Sequence, residues 1–85
     1  MTLLSAYTRI ALIGYGNMGK EIERLARQYC CSVEVIFSRH SPLNTDAIIN
    51  NTFDVAIDFS VASAVVENVR LLAEHGKNIV LGTTG

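Results

Sequence analysis

Three glycines stand at the spacing G-x-G-x-x-G near the amino terminus of this 85-residue chain. Gly14, Gly16 and Gly19 follow the apolar run at residues 10–13 and precede a helical pattern. In a strand–turn–helix unit, Gly14 would permit the sharp turn, Gly16 would let a phosphate approach the main chain, and Gly19 would let the helix lie close to the strand. Main-chain N–H groups and the positive end of the helix dipole would meet at that turn. The pattern predicts a pyrophosphate-binding turn, and a turn that merely needs small residues is the alternative.

The composition is typical of one globular domain with a small-molecule ligand. Hydrophobic residues make up 49% of the chain and charged residues 18%, with a net charge of −1. This balance leaves no basic surplus for binding nucleic acid or an anionic membrane. Apolar runs fall short of the roughly 18 residues of a membrane span and no signal peptide is recognised, so we expect a cytoplasmic protein. The adjacent Cys30 and Cys31 fit neither a disulfide framework nor a zinc site, and no metal is expected.

Four strands alternating with helices are predicted along the chain. The strands lie at residues 10–13, 32–37, 53–59 and 78–81, where apolar, β-branched and aromatic residues concentrate. A first helix is predicted to pack on the sheet, and a later helix is predicted to be capped by Ser60 or Ser63 and to end at Gly76. Residues 46–50 give only a weak helical pattern. The residues predicted to face the sheet are Met18, Ile22, Leu25, Ala26 and Tyr29 in the first helix and Val65, Val69, Leu72 and Ala73 in the later one.

This alternation predicts a Rossmann-like α/β fold, with a parallel sheet of about four strands in the order 2-1-3-4 and helices on both faces. The order 2-1-3-4 is expected because its reversal beside the first strand creates the crevice in which open α/β sheets bind ligands. The fourth strand is apolar and would be an exposed edge if nothing followed it. We therefore expect residues 1–85 to be a dinucleotide-binding domain that is truncated before the second half of the fold.

Residues 37–40, with the sequence FSRH, occupy the region where such folds select between nucleotides. NAD-binding versions carry an acidic residue about 20 residues beyond the glycines, which accepts hydrogen bonds from the ribose hydroxyls. Here Ser38, Arg39 and His40 offer donors and positive charge instead of a carboxylate. A 2′-phosphorylated ribose is favoured, and the sequence predicts NADPH over NADH. A solvated loop without a role in binding is the alternative.

The chain offers no convincing catalytic residue or metal ligand. Asp54 and Asp58 lie four apart on one predicted strand, roughly 13 Å from each other, which is too far to share a metal ion. Asp54 is expected in solvent at the start of the strand, and Asp58 at the ligand edge, where it can anchor backbone N–H groups. His75 is expected at the end of the third helix, where the helix dipole favours a positive charge, and not in a catalytic role. Tyr15 is expected to pack over the adenine side or the turn.

Three stretches together resemble the amino-terminal domain of the 4-hydroxy-tetrahydrodipicolinate reductase family, the dihydrodipicolinate reductases. They are residues 10–21 around the glycine turn, residues 53–60 with the sequence FDVAIDFS, and residues 76–85 with the sequence GKNIVLGTTG. The glycine turn alone is generic, whereas the I-D-F-S strand end and the closing G-T-T-G are more specific. The resemblance spans nearly the whole chain.

The resemblance implies a role for each part of the crevice. The glycine turn would bind the pyrophosphate, and Ser38 and Arg39 would hold the adenosine ribose, with Ser38 replacing an acidic residue often found there. Phe59 and Ser60 would lie near the nicotinamide half, and the closing turn would contact the nicotinamide ribose and amide. The cofactor-binding residues predicted in this way are Gly14, Tyr15, Gly16, Asn17, Met18, Gly19, Ser38, Arg39, Phe59, Ser60, Gly82, Thr83 and Thr84.

The resemblance also implies an activity for the full-length protein. This is hydride transfer from NAD(P)H that reduces 4-hydroxy-tetrahydrodipicolinate to tetrahydrodipicolinate in lysine and diaminopimelate biosynthesis. The substrate site would belong to a carboxyl-terminal domain, so the 85 residues alone are expected to be inactive, and the full-length protein is expected to be a homo-oligomer. Another nicotinamide-dependent amino-acid or semialdehyde dehydrogenase, or a stand-alone nucleotide-binding module without catalysis, are the alternatives.

Overall fold

A computed structural model describes residues 8–82 of the chain. Strand β1 (Thr8–Ile13), helix α1 (Asn17–Leu25) and a 3₁₀ turn (Ala26–Tyr29) come first, followed by strand β2 (Cys31–Phe37). Helix α2 (Thr45–Asn50), strand β3 (Val55–Asp58), helix α3 (Ala62–Glu74) and strand β4 (Asn78–Leu81) follow. Strands and helices alternate as the sequence predicts.

The four strands form one parallel sheet in the order β2-β1-β3-β4, which confirms the predicted Rossmann-like topology. Ile13 is paired with Phe37 of β2 and with Asp58 of β3, and Asp58 is paired with Leu81 of β4. The carboxyl ends of the four strands therefore lie along one edge of the sheet. At this edge the connections that follow β1 and β3 run in opposite directions, and such a switch point forms a ligand crevice in open α/β sheets.

Strand β1 is covered on both faces, as its continuous apolar sequence predicts. Ala11 and Ile13 join a core cluster with Ile48 of α2 and Leu72 of α3. Side chains alternate along a strand, so Leu12 faces the other side of the sheet, where it is also fully buried. The β1-to-β2 and β3-to-β4 connections run in opposite directions across the sheet. Because both crossovers are right-handed, α1 lies on this second face, opposite α3.

The predicted end of α3 is confirmed, whereas its predicted cap is wrong. Gly76 has a φ of +68° and its N–H donates back into the last turn of the helix, as is usual for a glycine-terminated helix. At the other end the capping residue is Val61, and no side chain of the described residues caps it. Ser60 is not the cap because its hydroxyl donates to Asp58 instead. Ser63 lies inside the helix.

Three residues predicted to face the sheet are exposed instead. Met18 is 58% exposed in the first turn of α1, and Tyr29 is 69% exposed in the 3₁₀ turn, which no longer follows the period of the helix. Ala73 is exposed because it lies one residue beyond the buried Leu72, about 100° further around the helix. Among the residues that the structure describes, no helix has the length and apolar character needed to cross a membrane.

Candidate nucleotide-binding cleft

Gly14 and Gly19 are required by the packing of the protein itself. Gly14 leaves β1 with a φ of +93°, and its N–H donates to the carbonyl oxygen of Phe37 over 2.8 Å. A Cβ on Gly14 would lie 3.2 Å from the backbone carbonyl of Phe59. A Cβ on the buried Gly19 would lie only 2.7 Å from the carbonyl oxygen of Gly14. The first turn of α1 therefore rests directly on the glycine turn.

Gly16 differs from the other two, because the packing of the described residues does not require a glycine there. Its φ of −87° and ψ of −153° are an extended conformation that other residues adopt. A Cβ on this exposed residue would have no heavy atom within 4 Å. Gly16 precedes α1, and within the described chain no side-chain cap and no acidic residue serves the first turn of that helix. Open space, uncapped N–H groups and the positive end of a helix thus coincide.

Two open clefts meet beside Gly16. The smaller has a volume of about 480 Å³ and extends to Gly82 at the end of β4. The larger has a volume of about 680 Å³ and extends to Ser38 and Arg39 after β2. Together they follow the sheet edge from β2 to β4, which suits an elongated ligand. Their shared walls are Gly16, Phe59, Ser60 and Val61, and the other predicted binding residues that line one of them are Gly14, Tyr15, Asn17, Met18, Gly19, Ser38, Arg39 and Gly82.

Thr83 and Thr84, the last two predicted binding residues, lie outside the residues that the structure describes. The structure therefore places eleven of the thirteen predicted residues on the walls of the two adjoining clefts. Their convergence arises because the parallel strands end at the same edge of the sheet.

The β2 end of the larger cleft has donors and a positive charge. Ser38 and Ser41 exchange two backbone hydrogen bonds of 3.0 and 3.1 Å, which fix the turn between them. The Ser38 hydroxyl accepts a hydrogen bond from the backbone N–H of His40 over 3.3 Å. Arg39 is exposed on this turn and forms no ion pair with any described residue. Its guanidinium is therefore available to an anionic ligand.

The β3 end of the cleft is shaped by an aromatic ring. Phe59 follows β3, and its N–H donates to the carbonyl oxygen of Ile13 over 2.8 Å. Its ring packs so closely on Gly82 that a Cβ there would lie 2.0 Å from the ring atom Cε1. Gly82 is also tied to the sheet, since its N–H donates to the carbonyl oxygen of Asp58 over 2.8 Å. Any side chain at Gly82 would displace the Phe59 ring, and Phe59 lines both clefts.

Asp58 directly precedes Phe59 and is fully buried. Its Oδ1 accepts the backbone N–H of Ser60 over 2.8 Å and the Ser60 hydroxyl, so it anchors a backbone N–H as the sequence predicts. Its Oδ2 accepts from the Asn68 side chain over 3.2 Å. The sequence motifs do not point to Asn68, although its position carries a signal. Asn68 shares the inward helical spacing of Val65 and Leu72, and a polar residue there indicates a buried partner.

The side chain of Tyr15 is bonded to helix α1. Its hydroxyl donates to the carboxylate of Glu23, which raises the pKa of the phenol above its usual value. The ammonium group of Lys20 lies 5.6 Å from the centre of the Tyr15 ring. These contacts hold the ring beside the helix, at the rim of the larger cleft.

Asp54 lies at the opposite edge of the sheet from the cleft and is bonded to Arg9. The guanidinium donates to both carboxylate oxygens over 3.2 and 2.9 Å, and the Arg9 backbone N–H donates over 2.8 Å. These bonds lower the pKa of Asp54 from 3.8 to about 2. Asp54 is exposed as predicted, but it joins β1 to the start of β3 rather than standing alone in solvent.

Comparison with known proteins gives one matching family model and several similar reductases. The model described as "Dihydrodipicolinate reductase, N-terminus" matches residues 8–85. A 4-hydroxy-tetrahydrodipicolinate reductase of Christiangramia forsetii is 36% identical over 76 residues, which is 89% of this chain and 31% of that protein. The enzyme of the same name from Zymomonas mobilis is 35% identical over 82 residues, 91% of this chain and 32% of its own length.

A third relative matches a shorter stretch of the chain at a higher identity. The 4-hydroxy-tetrahydrodipicolinate reductase of Methanocaldococcus jannaschii is 47% identical over 49 residues, which is 52% of this chain and 18% of that enzyme. The chain thus spans about a third or less of the length of these curated relatives.

Proposed function

This chain belongs to the family of the dihydrodipicolinate reductase amino-terminal domain, and from that premise we propose that it binds a nicotinamide dinucleotide across the edge of its sheet. Gly16 is the observation that carries the proposal. The packing of the described residues leaves a Cβ free at Gly16, so packing gives no reason for a glycine there. A main chain that must approach a phosphate supplies that reason.

The pyrophosphate would lie on the glycine turn. Backbone N–H groups of Asn17, Met18 and Gly19 in the first turn of α1 have no carbonyl partner within the helix. The positive end of the helix dipole adds to the attraction for an anion. Gly14 and Gly19 would hold this turn in shape, and Tyr15 would form its rim.

The adenosine half would lie in the larger cleft beside Ser38 and Arg39. A guanidinium without an ion-pair partner in the described chain is suited to the 2′-phosphate of NADPH. The hydroxyl of Ser38 offers weaker recognition of the two free ribose hydroxyls of NADH than a carboxylate would. We therefore propose a preference for NADPH over NADH.

The nicotinamide half would lie in the smaller cleft, against Phe59, Ser60 and Gly82, with Thr83 and Thr84 completing its contacts. When bound, the reduced nicotinamide supplies a hydride. The part of this chain would be to orient the ring and to exclude water from one face of it, because the described cleft contains no acid positioned for proton transfer.

For the full-length protein we propose reduction of 4-hydroxy-tetrahydrodipicolinate to tetrahydrodipicolinate, the reaction of lysine and diaminopimelate biosynthesis. The names of the similar reductases support this substrate. A substrate domain beyond these residues, assembly into a homo-oligomer and a cytoplasmic location are parts of the same proposal. The 85 residues by themselves are proposed to bind cofactor without turning over substrate.

Replacing Gly16 with alanine tests the binding site. The Cβ would project into open space, so G16A should fold with a loss of stability of about 1 kcal/mol or less. It should raise the Kd for NADPH about tenfold or more, because a methyl group would stand where the pyrophosphate approaches. Isothermal titration calorimetry measures the Kd, and circular dichroism checks the fold.

Gly76→Ala is the matched control. Gly76 has a φ of +68° and lies far along the chain from the glycine turn, at the end of α3. This variant should lose roughly 1 kcal/mol of stability through backbone strain and keep the NADPH affinity of the wild type. Wild-type affinity in a folded G16A protein would contradict the proposed site, and absence of binding by the wild type would contradict the proposed function.

A further inference from the structure

We propose that Asn68 is a positioning residue for the dinucleotide, acting through Asp58 and Ser60 on the wall of the cleft. This inference rests on the proposed function, because it concerns the affinity of the same cleft. Asn68 lies on α3, ten residues beyond Asp58, and neither the glycine motif nor the family resemblance singles it out. It lines the larger cleft, but its side-chain NH₂ group donates to Asp58 and Ser60 and not towards the ligand.

The side-chain amide of Asn68 has a defined orientation. Its Nδ2 donates to Asp58 Oδ2 over 3.2 Å and to Ser60 Oγ over 3.2 Å. Only the NH₂ group can make both contacts, since the amide oxygen would be repelled by the carboxylate. The amide therefore uses both of its hydrogens to join the middle of α3 to the loop that follows β3.

This bridge fixes the backbone that faces the glycine turn. Asp58 Oδ1 accepts the N–H of Ser60 over 2.8 Å, which sets the direction of the peptide between Phe59 and Ser60. That peptide lies against Gly14, where a Cβ would come within 3.2 Å of the Phe59 carbonyl and 3.3 Å of the Ser60 nitrogen. A shift of Ser60 by a few tenths of an ångström would therefore reach the turn that is proposed to hold the pyrophosphate.

The surroundings of the bridge have few charges. At the register position of Asp58, β1 contributes Ile13 and β4 contributes Leu81, which are both apolar. Across the larger cleft, the turn after β2 contributes the exposed Arg39 and His40. On α3, Arg70 pairs with Glu67 and Glu74, and at the far ends of β1 and β3, Arg9 pairs with Asp54. Lys77, before β4, donates to the carbonyl oxygen of Phe53. Lys20 and Glu23 lie beside Tyr15 on α1.

Asn68→Asp gives a test in which pH restores the bridge. The new carboxyl group would face Asp58 Oδ2 at hydrogen-bond distance. Two carboxyl groups in such contact share one proton, and the pair keeps that proton to a higher pH than an isolated carboxyl group does. At pH 5 the protonated pair can bridge α3 to Asp58, whereas at pH 8 two negative charges repel each other. The Kd for NADPH is compared between variant and wild type, as a ratio, at each pH. Because Asn68 lines the larger cleft, the new carboxylate would also repel the ligand phosphates directly, and the uncharged Asn68→Ala variant separates that repulsion from the loss of the bridge.

We expect this ratio to stay within about threefold at pH 5 and to reach about tenfold or more at pH 8. Asn50→Asp, the same change on the exposed end of α2, is the control and should give a ratio near one at both pH values. Circular dichroism is recorded at each pH to compare folded protein with folded protein. A ratio that does not change with pH would overturn the proposal.

Asn68→Ala is measured beside the aspartate variant, and it also serves where that variant unfolds at pH 8. It removes both donors without adding charge, so its Kd should rise about threefold to tenfold at both pH values. Wild-type affinity in folded N68A would overturn the positioning role. Binding by neither variant nor wild type would instead contradict the proposed function.

Discussion

Arg39 is the residue on which the choice between the two coenzymes depends. It lies exposed at the β2 end of the larger cleft, and no described carboxylate neutralises it. Arg39→Ala should raise the Kd for NADPH about tenfold and change the Kd for NADH by no more than about twofold, because only NADPH carries the 2′-phosphate. Calorimetric titration of both coenzymes measures the two changes.

Arg27→Ala is the matched control for Arg39. Arg27 is also exposed and forms no ion pair within the described chain, but it lies after α1, away from the cleft. Its replacement should leave both affinities unchanged. Equal weakening of NADPH and NADH by R39A would show that Arg39 does not select the 2′-phosphate.

Some residue roles in the cleft are predictable from the sequence and others are not. The roles of Gly14 and Gly19 in turning and packing follow from the motif, because the motif carries its own backbone geometry. The contact of Gly82 with the Phe59 ring and the bridge made by Asn68 do not follow, since each joins residues whose proximity is created by packing. Of these, only Asn68 left a local signal, a polar side chain at an inward helical position.

At the scale of the elements, strand bounds were predictable where turns are marked by glycine or by polar residues. Strand β4 occupies residues 78–81 as predicted. The order 2-1-3-4 is also confirmed, and it was predictable because a nucleotide-binding glycine turn after β1 calls for a strand reversal beside that strand. Strand β3 is shorter than the predicted residues 53–59. Asp54 lies before the strand and binds Arg9, and Phe59 lies after it and lines the cleft. Helix α2 was only weakly indicated, although Asn44 caps it by accepting the N–H of Ala47 over 2.8 Å.

The bond between Arg9 and Asp54 ties β1 to the start of β3 and makes their pairing dependent on pH. The guanidinium and the backbone N–H of Arg9 lower the pKa of Asp54 to about 2, below the 3.8 of an unpaired aspartate. A lowered pKa in the folded state means that the carboxylate stabilises the fold above pH 4 and that this contribution is lost as the pH falls from about 4 to 2. The melting temperature of the wild type should therefore fall over this range.

The variant Asp54→Asn should show less of this fall in thermal melts recorded between pH 6 and pH 2. Arg9→Gln removes the guanidinium bonds and leaves the backbone N–H bond to Asp54. The double variant R9Q/D54N should be no less stable than either single variant. Because both side chains are nearly half exposed, salt should diminish the difference between wild type and variant. An identical pH dependence in D54N and in the wild type would exclude the bond as the cause.

At the scale of the whole molecule, the two clefts act as one site only if a single ligand spans them. They share Gly16 and the wall from Phe59 to Val61, so the two halves of a dinucleotide would meet at the glycine turn. Joining two binding groups in one molecule raises their combined affinity well above that of the separate groups, because the second half then binds at a high effective concentration. The intact dinucleotide should therefore stabilise this fold far more than its halves do.

Thermal melts of the protein with NADPH, with 2′,5′-ADP, with nicotinamide mononucleotide, and with the last two together test this expectation. NADPH at about 100 times its Kd should add about 2.7 kcal/mol to the stability, which for a domain of this size corresponds to a rise of about 10 °C or more in Tm. The two halves together, at the same concentration, should give a clearly smaller rise. Equal protection by the separate halves would mean that the clefts bind independently, and a rise with 2′,5′-ADP as large as with NADPH would restrict the site to the larger cleft.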